Sequence, residues 1–153
     1  MSWLVTAAIT TGLLTPTAIA ESVQGEKIVI AGAGQSLDVR GYAKGTVSLY
    51  KNIADRDSLQ NRCMGYGSLQ PDHLMEIQKQ TSEVTLQVKT RSQDTTLLVE
   101  GPDNRFYCVD DSAEGGKDAG LSLKNVKTGS YKVWIGTFDA GVGARYVLNV
   151  QSK

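Results

Sequence analysis

Apolar and polar residues alternate along much of the chain. Between residues 83 and 89, Val84, Leu86 and Val88 share one face, while Thr85, Gln87 and Lys89 take the other. Tyr131, Val133 and Ile135 alternate with Lys132 and Trp134, and Tyr146, Leu148 and Val150 with Val147, Asn149 and Gln151. A period of two marks a half-buried strand. Shorter segments with the same character span residues 27–31, 36–40, 46–50, 73–78, 95–100, 106–110 and 121–126. In the fourth of these, His73, Met75 and Ile77 fall on one face.

Turn chemistry separates these runs. Gly101-Pro102-Asp103-Asn104 joins two of them; Pro presets φ and Asn tolerates the left-handed region. Folded about this turn, the two strands pair residues whose numbers sum to about 205 or 206, depending on a bulge at Asn104. Thr128-Gly129 and the stretch from Phe138 to Gly143 are further breaks. Residues 52–61 are the best helical candidate, and they are short and polar. About eight to ten short strands with regular turns predict an all-β fold, an antiparallel sandwich. No repeat or linker divides residues 21–153, which are read as a single domain.

Residues 1–20 carry no charge and end in Ala18-Ile19-Ala20, which suits a signal peptide cleaved after Ala20. The rival is an uncleaved anchor, disfavoured by the threonines, Pro16 and the lack of flanking Lys or Arg. After cleavage no stable membrane anchor is expected, and the mature chain would be secreted or periplasmic. The whole sequence has 16 basic and 16 acidic residues, so a nucleic-acid partner, which needs a basic surplus, is not expected. One His and two Cys are too few for a four-ligand His/Cys zinc site. In an oxidising compartment Cys63 and Cys108 are expected to form a disulfide worth roughly 4 kcal/mol. Two free buried thiols are the alternative.

Three places carry candidate chemistry. Asp94, Asp110 and Asp111 converge if the Gly101–Asn104 turn is a tight hairpin, which makes them candidate ligands for Ca²⁺. The alternative is a solvated acidic loop with Lys117 and Lys124 as counter-charges, and no other cofactor is indicated. Trp134 alternates away from its apolar neighbours, so Trp134, Tyr107 and Phe138 are candidate binding aromatics for sugars or peptides; the alternative is a covered sheet face. Ser68 or Cys63 with His73 could form a hydrolase site, but Gly65-Tyr66-Gly67-Ser68-Leu69 lacks the Gly-x-Ser-x-Gly elbow, and no third group orients the base. Gly32-Ala33-Gly34 imitates a dinucleotide fingerprint without its following helix, and reads as a turn between strands.

The segments Asp94-Thr95-Thr96-Leu97-Leu98-Val99, Gly101-Pro102-Asp103 and Tyr107-Cys108, with Asp110-Asp111, resemble the bacterial pre-peptidase C-terminal-like domain in its cysteine-containing exported form. The resemblance extends through Gly129-Ser130-Tyr131-Lys132-Val133-Trp134-Ile135-Gly136-Thr137-Phe138 and Tyr146-Val147-Leu148-Asn149-Val150. Upstream it takes in Cys63-Met64-Gly65-Tyr66 and Pro71-Asp72-His73. It implies a jelly-roll-like β-sandwich, a non-catalytic exported module, and calcium in some relatives. Lys117, in the loop after Asp111, departs from a cation site. The expected function is an exported, non-enzymatic module binding a protein or polysaccharide of the cell envelope or extracellular space. Two rival functions are a secreted accessory subunit or inhibitor of a peptidase, acting through loops such as 138–143, and the small hydrolase.

Overall fold

The computed structural model describes residues 26–113 and 115–153. The expected leader, residues 1–20 with cleavage after Ala20, lies outside them. In chain order the strands are β1 (Lys27–Ile30), β2 (Ser36–Ala43), β3 (Val47–Ser48), β4 (Tyr66–Gly67), β5 (His73–Ile77) and β6 (Thr81–Lys89). They continue as β7 (Thr95–Glu100), β8 (Phe106–Val109), β9 (Gly120–Val126), β10 (Gly129–Thr137) and β11 (Ala144–Ser152). One helical turn, α1 (Leu49–Asn52), follows β3.

The strands form two sheets, as the alternation predicts for a sandwich. A four-stranded sheet runs β2-β11-β6-β9, all antiparallel. In the seven-stranded sheet β10 is central, with β5 and β4 on one side and β7 then β8 on the other. β1 flanks β5 and β3 flanks β4. The β1–β5 pair is parallel, Lys27 facing Leu74, which departs from a wholly antiparallel fold. Parallel neighbours need a long crossover, and here the chain passes through the four-stranded sheet between them. The core between the sheets holds Ile28, Met75, Leu86, Val99, Ile135 and Leu148, all at most 1 % exposed.

Register confirms the hairpin. Leu97 faces Val109 and Glu100 faces Phe106, the bulged alternative, with Asn104 at φ 59°. The left-handed conformation that Asn tolerates is thus used at the turn. The ladder stops at Val109, and the Thr95 N–H donates instead to the Lys117 carbonyl at 3.0 Å. Asp94 and Thr95 therefore do not pair with residues 110–112, contrary to expectation.

Residues 52–61 are not a helix. The helical turn ends at Asn52, and the Asp57 carboxylate takes over the backbone: Oδ1 accepts the N–H groups of Leu59 and Asn61, each at 2.8 Å. An Asp side chain that binds nearby N–H groups offers the backbone an alternative to helix. A second apolar cluster lies on the outer face of the seven-stranded sheet, built from Leu49, Cys63, Leu98, Cys108 and Trp134. Cys63 and Cys108 form the expected disulfide, with Cα atoms 5.2 Å apart. No helix among the described residues is long and apolar enough to cross a membrane.

Candidate functional site

Alternation on three neighbouring strands sets the outer face of the four-stranded sheet. Val39 on β2, Val88 on β6 and Tyr146 and Leu148 on β11 point into the core, so Arg40, Lys89, Arg145 and Val147 point out. Register aligns them in rows. Arg40 faces Val147, and Val147 faces Lys89; one step along, Arg145 faces Tyr42. Just past β6, Arg91, Thr90 and Gln93 extend the same surface, and together these residues line an open groove of about 760 Å³.

No carboxylate lines this groove. Its four cations, Arg40, Lys89, Arg91 and Arg145, form no ion pair among the described residues, whereas Lys124, Lys127, Lys132 and Lys153 each have an acidic partner. Asp118 and Asp38, beside the groove, are hydrogen-bonded elsewhere, and Glu26 and Asp72 share the neighbouring recess with Arg40 without an ion pair to it. Asp118 accepts the Thr90 N–H at 2.9 Å and the Thr90 hydroxyl at 2.7 Å, and Asp38 accepts the Asn149 amide at 2.7 Å. Tyr42, 53 % exposed, stands at the groove's end beside Arg145.

A recess of about 170 Å³ adjoins the groove and brings Ser68, Asp72, His73 and Tyr146 together. The His73 ring is 2 % exposed and tied at both nitrogens. The Glu26 carbonyl, 3.2 Å away, can only accept, so Nδ1 donates to it, and Nε2 accepts the Tyr146 hydroxyl at 2.8 Å. Burial holds the imidazole below its ordinary pKa, against the raising effect of the Glu26 carbonyl and carboxylate. Burial also lifts the Asp72 carboxyl to about 6, although the Ile135 N–H, 2.8 Å away, and the Lys44 ammonium favour its charged form. Tyr146 is raised by burial and by Asp72. Ser68 shares the recess, but both His73 nitrogens are engaged elsewhere and no hydrogen bond joins the pair. Cys63 is in the disulfide. His73 and Tyr146 instead bolt the two sheets together.

The other expected sites fare differently. Trp134 does point away from the sandwich core, but it is 3 % exposed, because the segment before β5 covers that face; its Nε1–H donates to the Leu69 carbonyl at 3.3 Å. It is a packing residue, not a surface binder. Tyr107 is half-buried against the main core and only Phe138, 38 % exposed, is at the surface, so the three aromatics form no common patch. Asp94 is raised by burial, opposed by Lys117, with smaller raising effects from Asp111, Asp139 and Asp110. Among the described residues no three His, Cys, Asp or Glu side chains group to hold a metal ion. Asp94, Asp110 and Asp111 are therefore electrostatic neighbours rather than an assembled ligand set, because the ladder that would have aligned them ends at Val109.

The basic groove escaped the sequence reading. Its cations lie far apart along the chain, and only cross-strand register shows that Arg40, Lys89 and Arg145 are neighbours. The available signal was their shared parity: each occupies an outward position of an alternating strand.

No protein-family model matches the chain, and no curated protein matches it. Among solved structures, it is similar to the crystal structure of Aeromonas hydrophila PliG, a periplasmic lysozyme inhibitor of g-type lysozyme. The identity is 10 %, the match covers 84 % of this chain and 100 % of that one, and the TM-score is 0.44.

Proposed function

We propose that this chain is an exported, non-catalytic β-sandwich module that binds a component of the cell envelope or extracellular space. The observation that carries this reading is the groove on the four-stranded sheet, where four cations stand without acidic partners around one concave surface. Like charges held together cost stability unless something outside the chain offsets them. The residues suited to catalysis are committed to structure: His73 by both ring nitrogens, Cys63 and Cys108 by their bond. A disulfide fits an oxidising compartment. The order of motifs that resembles the pre-peptidase C-terminal-like domain supports the same reading.

Sedimentation with isolated envelopes of the host tests it. The purified chain should pellet with the envelope at low salt and be released as salt rises, because exposed charges are screened within about 10 Å at 0.1 M. A chain that stays in the supernatant at every salt concentration, with envelopes and with the host's insoluble extracellular material alike, refutes the reading.

A further inference from the structure

We infer that the groove binds an acidic polysaccharide, whose carboxylate or sulfate groups sit among Arg40, Lys89, Arg91 and Arg145. This rests on the binding-module reading and gives it a ligand class.

Three features select that chemistry. The first is the donor set. Three of the four cations are arginines, whose planar forks pair with the two oxygens of a carboxylate or the oxygens of a sulfate. The second is spacing. Arg40 on β2 and Lys89 on β6 flank Val147 of the intervening β11, so their Cα atoms stand about 10 Å apart across a low apolar floor. Charges at that separation suit anionic groups repeated along a chain better than a single small anion. The third is Tyr42, more than half exposed next to Arg145, which offers an aromatic face to the C–H side of a sugar ring.

The groove is open along the sheet, so a polymer can lie through it without threading. Its basic character is local. Asp38 and Glu83 occupy the same sheet's further rows, and Glu83 is already paired with Lys124 and Lys153. Four cations are few for a nucleic acid, whose binding rests on many phosphate contacts.

Calorimetric titration of the full chain at low salt tests the inference with three probes: oligogalacturonate for carboxylates, dextran sulfate for sulfates, and neutral dextran. Binding to at least one acidic polymer, and none to dextran, is expected. Arg40→Gln with Arg145→Gln should weaken that binding about tenfold or more. Lys27→Gln with Arg62→Gln, an equal change of charge away from the groove, should stay within about twofold. Thermal melts of both double variants confirm folding; if the groove pair does not fold, Lys89→Gln alone, at an exposed strand end, takes its place. Equal losses in the two double variants, unchanged binding by the groove variant, or tighter binding to polyglutamate or single-stranded DNA than to either acidic polysaccharide would each overturn the inference. A chain that pellets with envelopes yet binds neither polymer defeats the ligand class and leaves the binding module standing. A chain that binds a polymer but never pellets upholds the ligand class and defeats the envelope as its source.

Discussion

The outer faces of the two sheets have opposite fates. On the four-stranded sheet, β11 along its whole length and β6 from Val84 to Lys89 alternate buried with exposed or partly exposed residues, and the outward side is bare. On the seven-stranded sheet, Thr95–Val99 of β7 and Val133–Thr137 of β10 are buried at every position. A strand covered on both faces reads as a continuous apolar run, and one covered on a single face alternates. The cover consists of the segment between β3 and β5, fastened by the disulfide, the Asp57 turn and the Trp134–Leu69 hydrogen bond. One sheet thus has its second face closed by the chain itself. The other leaves its second face bare.

Truncation should expose this contrast most strongly. Trp134→Ala removes the largest side chain under the cover and should cost about 3–5 kcal/mol, while Val147→Ala on the bare face should cost less than about 1 kcal/mol. Urea denaturation of both variants measures the difference. Similar losses would mean that the two outer faces are equally packed.

The disulfide comes next. Cys108→Ser should lower stability by about 2–5 kcal/mol. Hydrogen exchange should localise the damage, with protection falling in residues 49–70 and in β8 but persisting in β6 and β11. Uniform loss across both sheets would show that the bridge serves the sandwich rather than its cover.

What the sequence disclosed follows the same division. Where one face is buried and the other is wet, alternation located the strand closely, as for residues 83–89, and also placed His73, Met75 and Ile77 on one buried face. The hairpin was legible because its turn is written in contiguous residues, Pro102 and Asn104 above all. Alternation also placed Trp134 correctly on the outward side, but whether that side is covered depends on a segment some 65 residues away, joined through Leu69. The two-residue strands β3 and β4 are too short to carry a period. The groove was illegible for a related reason: its charges become neighbours only through pairing of β2, β11 and β6, a matter of register between distant segments.

The bolt between the sheets gives a pH signature. Asp72 has its folded pKa raised from 3.8 to about 6, so the folded state holds its proton longer than the unfolded state. Stability from this group is full below 3.8 and is lost as pH rises through about 6. His73 is lowered from 6.5, so the unfolded chain takes up its proton first and stability falls as pH drops below that value. The two slopes oppose each other below about 6. Asp72→Asn should remove the Asp72 arm, worth on the order of 3 kcal/mol, and so expose the His73 arm in melts recorded from pH 4 to pH 7. An unchanged profile would mean that Asp72 is well solvated in the folded protein.

The smallest effect belongs to the acidic hairpin end, where neither a covering segment nor a partner groove has been built. Asp94 is raised chiefly by burial and has Lys117 opposing that shift, while Asp110, Asp111 and Asp139 act on it as like charges. Lys117 is exposed, so the attraction is screened by water and Lys117→Gln should cost less than about 1 kcal/mol. The ladder ends at Val109, so the carboxylates are not aligned in opposing rows, and among the described residues no three of them surround a common point. Ca²⁺ needs six to eight oxygen ligands in a flexible but complete shell. Millimolar calcium should therefore move the melting midpoint by less than about one degree relative to chelator, since a ligand stabilises only as far as it occupies the folded state. A rise of several degrees, abolished by Asp111→Asn, would show instead that the loop closes around the ion and that this end of the hairpin is a second binding surface.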